Sequence, residues 1–111
     1  MDEPVLTSQA RQRLRQIHAL SARLNALEGR PHRQRLMELV RHHVREIDEL
    51  AQRQDPHHIV ETGDLLILCF ELLLESGADI DEVTRVCFER YDKKLTGLIQ
   101  QHRRKMDEGS L

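Results

Sequence analysis

Two acidic side chains, Glu61 and Asp64, stand three residues apart in a stretch with helical spacing. Residues three or four apart on a helix share a face, so the two carboxylates are expected one turn apart. His57 and His58 come one turn before Glu61 and extend the same face. Paired carboxylate oxygens suit a hard divalent cation such as Mg²⁺ or Mn²⁺.

A second polar group stands earlier in the chain, where His42, His43 and Glu46 fall at spacings that share a helix face. The connection between the two predicted helices is short, which favours antiparallel packing and convergence of the two faces. Imidazole ligands would shift the preference of such a site toward manganese, zinc or iron. The same pattern is also compatible with an arrangement that binds no metal. In that case the histidines would lie on the surface, and the carboxylates would be exposed or paired with basic side chains of a later helix.

The pattern of apolar residues predicts the four helices that must position these groups, since apolar side chains recur at three- and four-residue steps. The predicted helices lie near residues 8–28, 33–54, 57–76 and 80–104. Gly29 and Gly77 mark helix ends, and Asp55 before a proline marks the start of the third helix. We therefore expect an all-α fold, a four-helix bundle in a single domain over residues 1–111, with a flexible tail at 105–111.

The third predicted helix is apolar on nearly every side between Ile59 and Leu74. Such a helix is either central in a bundle or covered by another subunit. Three other short helices in one chain cannot cover all of its apolar side chains, so we expect a homodimer or homotetramer that associates through this helix. The polar exceptions on it form one acidic stripe: Glu61, Asp64, Glu71 and Glu75.

Composition and charge narrow the classes of partner. The 111 residues carry a net charge of -2 and 3% aromatic residues, so neither a polycationic surface nor base stacking favours nucleic-acid binding. The charge is uneven, because residues 1–45 hold nine Arg against four acids, whereas residues 46–92 hold thirteen acids against three Arg. An acidic middle beside basic ends is compatible with a metal site that meets an anionic ligand, and also with solvated helix faces.

The sequence also predicts where the protein works. The N-terminus opens acidic and lacks an apolar run, and the longest apolar run, at 65–74, is short and interrupted by Glu71. We therefore expect no signal peptide, no membrane span and a cytoplasmic location. Cys69 and Cys87 lie inside apolar runs, which predicts buried, reduced thiols.

The order of these features over residues 33–95 resembles the MazG-type nucleoside triphosphate pyrophosphohydrolases, the all-α NTP pyrophosphatases. Three stretches carry the resemblance, and an apolar helix separates the first from the second. They are Glu61-Thr62-Gly63-Asp64-Leu65-Leu66, Gly77-Ala78-Asp79 and Arg90-Tyr91-Asp92-Lys93-Lys94. Phe88 stands where the family often has Asn before its final basic cluster.

The resemblance implies an oligomeric helical bundle that holds Mg²⁺ between an EExxE motif and an ExxD motif and splits a nucleoside triphosphate into the monophosphate and pyrophosphate. Glu61 and Asp64 match ExxD, while His42-His43-Val44-Arg45-Glu46 stands where EExxE is expected and keeps only its last Glu. The implied metal ligands are His42, Glu46, Glu61 and Asp64. His43 and Glu46 are the implied catalytic residues, and Arg90, Lys93 and Lys94 the implied phosphate-binding residues.

Three functions remain open at this point. The first is a pyrophosphohydrolase with a modified site, with weak Mg²⁺ binding and tighter Mn²⁺ binding, since two histidines replace two carboxylates. The second is an oligomeric binding or regulatory protein of the same fold that does not hydrolyse. The third is a helical bundle that binds a transition metal through His42, His43 and His58 with the carboxylates.

Overall fold

The computed structural model describes residues 4–109, which form four α-helices and, within that range, no strand. The helices are α1 (Ser8–Leu27), α2 (His32–Gln52), α3 (His58–Glu75) and α4 (Ile80–Gly109). The predicted all-α fold is confirmed, and the ends of the first three helices lie within two residues of the predicted ends. The predicted single domain over 1–111 stays a prediction.

The C-terminal end differs from the prediction. The tail that we expected to be flexible from residue 105 is helical as far as Gly109, and residues 110–111 lie outside the described range. The physical reason is local, because Arg103, Arg104, Lys105 and Met106 are all good helix formers despite their lack of apolar periodicity.

The chain divides into two compact units at residue 80. In the first unit, α2 and α3 pack against each other as a helical hairpin, and α1 contacts both of them. The apolar core of this unit is small, and its buried hydrophobic side chains are Leu14, Leu36, Leu50, Leu68 and Ile80. The second unit is the rest of α4, which exposes large apolar side chains such as Phe88 and Leu95.

The two cysteines are not both buried. Cys69 is exposed and Cys87 is half-buried, so the prediction of two buried thiols is wrong.

Part of the apolar surface of α3 remains exposed. Apolar side chains surround this helix, and Ile59 and Leu66 are among those that the rest of the first unit leaves exposed.

Across residues 4–109, no helix combines the length and the apolar character that a membrane span requires.

The first three helices end in the same way. After α1 and α3, Gly29 and Gly77 adopt φ values of 69° and 72°, as expected for glycine in a left-handed C-terminal cap. Gln54 takes this position after α2 with a φ of 58°. Its backbone N–H donates to the Ala51 carbonyl, and the next N–H donates to the Leu50 carbonyl, which completes the cap.

We expect Gln54→Gly to raise the free energy of unfolding by roughly 0.5–1 kcal/mol. The left-handed conformation costs a non-glycine residue about 1–2 kcal/mol, and the larger entropy of glycine in the unfolded chain offsets part of the gain. Urea denaturation followed by circular dichroism measures the change. Gly77→Ala is the matched control and should lower the stability. A Gln54→Gly variant that is less stable than the parent protein would contradict the argument.

Candidate metal centre

The hairpin of α2 and α3 brings together three of the predicted residues. His43 on α2 and Glu61 and Asp64 on α3 each offer one ligand atom, and these atoms lie within 4.8 Å of one another. His43 Nε2 is 3.4 Å from Glu61 Oε2, and both side chains are mostly buried. Asp64 is exposed, so the group is open to solvent on one side.

The His43 ring is held in one tautomer. Its Nδ1 lies 2.8 Å from the backbone carbonyl oxygen of Leu39. A carbonyl oxygen only accepts, so Nδ1 carries a proton and donates it to this bond. In the neutral ring, Nε2 then presents a lone pair toward the Glu61 carboxylate. Two electron-rich groups face each other across 3.4 Å, which favours a metal cation between them.

Glu61 lies between two imidazole rings. Its second oxygen, Oε1, is 3.3 Å from Nε2 of His57, which is largely exposed at the start of α3. The two rings therefore flank the carboxylate, with His43 beside one oxygen and His57 beside the other. The sequence placed His57 on this face through its four-residue spacing from Glu61, but did not identify it as a partner of that carboxylate.

His42 and Glu46 do not join this group. They pair with each other along α2, with 3.3 Å between His42 Nε2 and Glu46 Oε2, and His42 is largely exposed. Successive residues on a helix are rotated by about 100° around its axis. His42 and Glu46, four residues apart, therefore share one side of α2, and this side differs from the one that presents His43 to α3. Their roles as metal ligand and catalytic residue stay predictions.

The predicted phosphate-binding residues lie on α4, in the second unit. Arg90, Lys93 and Lys94 are exposed and close to one another on this helix. Lys93 Nζ pairs with Glu89 at 3.1 Å, and Lys94 Nζ lies 5.7 Å from the centre of the Tyr91 ring. The role of the three cations toward phosphate stays a prediction.

The group on the hairpin suits a divalent cation. Two carboxylates provide hard oxygen ligands and one imidazole provides a nitrogen ligand, a mixture that Mn²⁺ accepts more readily than Mg²⁺. Three protein ligands leave coordination positions for water or for the oxygens of a bound anion.

The fold and this group define an all-α protein with a candidate divalent-metal centre on a helical hairpin. No protein-family model matches the chain, and no curated protein or solved structure is detectably similar to it.

Proposed function

We propose that the protein is a metal-dependent nucleoside triphosphate pyrophosphohydrolase of the MazG-like, all-α type. The observation that carries this proposal is the convergence of His43, Glu61 and Asp64 across the α2–α3 hairpin. Glu61 and Asp64 are the two residues that match the ExxD motif of that family, and they lie beside α2, which bears the counterpart of the other motif.

The proposed reaction places these side chains around one cation. Glu61, Asp64 and His43 Nε2 would hold it, since Nδ1 of His43 already donates its proton to Leu39, and His43 then serves as a ligand rather than as the proton acceptor. The cation would neutralise phosphate charge and lower the pKa of a bound water, whose proton would pass to solvent on the open side of the group. The oxygen of this water would bond to the α-phosphorus while the bond from that phosphorus to the bridging oxygen breaks, and pyrophosphate would leave.

Five predicted residues stand outside the hairpin group. Glu46 and His42 pair with each other on α2, so their role as ligands stays a prediction, as does the phosphate-binding role of Arg90, Lys93 and Lys94. We propose a homodimer or homotetramer, with the exposed apolar side of α3 at the subunit interface. Ile59 and Leu66 on that side are 65% and 54% exposed, and their burial by a second copy would remove a large apolar surface from water.

A screen of ribo- and deoxyribonucleoside triphosphates tests the function directly. We expect release of pyrophosphate and nucleoside monophosphate, with a higher rate in Mn²⁺ than in Mg²⁺ and none in the presence of a chelator. Pyrophosphate and inorganic phosphate are measured separately, because release of inorganic phosphate alone would indicate cleavage at the wrong bond. No pyrophosphate from any triphosphate with either metal would contradict the proposal.

The second candidate is a binding or regulatory protein of the same fold that does not hydrolyse. The separation of Glu46 from the group favours it, because only two carboxylates then hold the cation. Binding of Mn²⁺ and of a nucleotide without turnover would support this candidate. Retention of zinc or iron at the hairpin after purification would instead support a transition-metal protein.

A further inference from the structure

A second group of ligand atoms lies in the first unit, away from the hairpin centre. It consists of His18 on α1, His32 on α2 and Glu71 on α3, whose ligand atoms lie within 4.8 Å of one another. His18 Nδ1 is 3.5 Å from Glu71 Oε1. Glu71 is seven residues beyond Asp64 on the same helix, a distance of about 10 Å along the axis, so the two groups are separate.

The polar atoms of this group are buried and lack hydrogen bonds. Glu71 is only 3% exposed, although burial of a carboxylate is costly unless it is paired. Its Oε1, the Nδ1 of His18 and the Nε2 of His32 are all buried without a hydrogen-bond partner. These three atoms from three helices thus lie together without hydrogen bonds, and the carboxylate of Glu75 is close by, with its Oε2 3.7 Å from His32 Nε2. Buried polar groups in proteins are nearly always satisfied, which points to a ligand between these atoms.

The outer nitrogens of both rings have partners. Nε2 of His18 lies 3.4 Å from Glu75 Oε2, and Nδ1 of His32 lies 2.8 Å from Nδ2 of the buried Asn25 side chain. The oxygen and nitrogen of an amide exchange places by a half-turn, so the Asn25 oxygen can accept a proton from Nδ1 of His32. Each ring then directs its other nitrogen, as a lone pair, into the group. Outer carboxylate and amide partners of this kind orient histidine ligands in metal sites.

We propose that His18 Nδ1, His32 Nε2 and Glu71 Oε1 form a zinc site that joins the three helices of the first unit. Two imidazoles and one carboxylate are a ligand set that Zn²⁺ accepts and Mg²⁺ does not favour. In a tetrahedral zinc site, ligand atoms lie about 3.3 Å apart. The 3.5 Å between His18 Nδ1 and Glu71 Oε1 is close to this value. A water or a small ligand would fill the fourth position.

The proposed zinc has a structural consequence, because each ligand comes from a different helix. The apolar core that holds α1 to α2 and α3 is small. A metal that binds the folded unit and not the unfolded chain raises the free energy of unfolding with the logarithm of one plus the ratio of its free concentration to its dissociation constant. The site is independent of the proposed hydrolysis, since it shares no residue with the hairpin centre.

The test uses the full chain with Asp64→Asn as the background, so that the hairpin centre is disabled. Chelator-treated protein is titrated with Zn²⁺ in competition with a chromophoric chelator. We expect one tightly bound zinc per chain and a higher midpoint of thermal unfolding. Adding Glu71→Gln should weaken zinc binding at least about a hundredfold and remove the thermal shift, because a neutral amide replaces the anionic ligand. Glu75→Gln should weaken binding by roughly 10–100-fold.

Glu38→Gln is the matched control, because Glu38 is also a carboxylate with a cationic partner, Arg35 at 3.4 Å, but lies exposed on the surface of α2. It should leave zinc affinity unchanged. Equal zinc binding by the background protein and its Glu71→Gln variant would overturn the proposal, as would the absence of zinc binding by the background protein. If the Glu71→Gln variant does not fold, Co²⁺ binding by the background protein decides. A visible absorption spectrum typical of tetrahedral Co²⁺, without a thiolate-to-metal charge-transfer band, supports the site. A spectrum typical of octahedral Co²⁺, or one with a thiolate band, overturns it.

Discussion

Asp64→Asn should abolish pyrophosphate release and leave the helical content unchanged. Asp64 is exposed and contributes one of the two carboxylates of the hairpin group, so the substitution removes ligand charge without opening a cavity. A metal ion contributes several kcal/mol to a phosphoryl-transfer transition state, and each 1.4 kcal/mol is about tenfold in rate. The expected loss is therefore roughly 10²–10³-fold or more in the rate of pyrophosphate release, measured with saturating Mn²⁺.

Asp48→Asn is the control for this prediction, because Asp48 is an exposed acid on α2 that accepts only a hydrogen bond from Gln52. Its rate should match that of the parent protein. An Asp64→Asn variant with unchanged activity would show that the hairpin group is not the active centre, even if the parent protein hydrolyses nucleotides.

Leu66→Glu should convert an oligomer into a monomer at micromolar concentration. Leu66 is 54% exposed in a single chain, so a Glu side chain there has access to water when the chain is alone. At a subunit interface the same carboxylate would be buried and unpaired, at a cost of several kcal/mol. We expect at least a hundredfold weaker association by sedimentation velocity and no loss of helix by circular dichroism.

Gln34→Glu adds the same charge to an exposed position on α2 and should leave the sedimentation coefficient unchanged. Leu73→Glu is a less selective test, because Leu73 is partly covered within its own chain, and monomeric or insoluble protein is expected. A parent protein that sediments as a stable monomer would contradict the proposed assembly.

The sequence predicts the fold well where local chemistry decides it. The apolar spacing and the glycines at 29 and 77 are local signals, and they determine where α1 and α3 end. The hairpin also follows from local information, because a short connection leaves two packed helices no choice but to run antiparallel. The pairing of His43 with Glu61 follows from that geometry.

The position of Glu46 illustrates what the sequence could not predict. A three-residue spacing puts two residues roughly on one side of a helix. His43 and Glu46 still differ by about 60° in their direction around the helix axis, and this angle decides which of them faces the neighbouring helix. That angle depends on how α2 is rotated against α3, which is a property of packing. The structure instead pairs Glu46 with His42.

The group of His18, His32 and Glu71 was missed for a different reason. Its members are distant in sequence and lie on three helices, so no spacing rule connects them. One signal was visible, because Glu71 is a single charged residue inside the apolar run at 65–74. A carboxylate in such a run requires a partner when the helix is buried, and His18 of α1 and His32 of α2 are the groups that lie beside it.

The short connection between α2 and α3 also bears on the order of events during folding. His43 and Glu61 are eighteen positions apart in the chain, whereas His18 and Glu71 are fifty-three apart. Closing a short loop costs less chain entropy than closing a long one, and local contacts form faster than non-local contacts. The hairpin can therefore assemble its ligands while the rest of the chain is still unfolded, and α1 must dock before the second set of ligands exists.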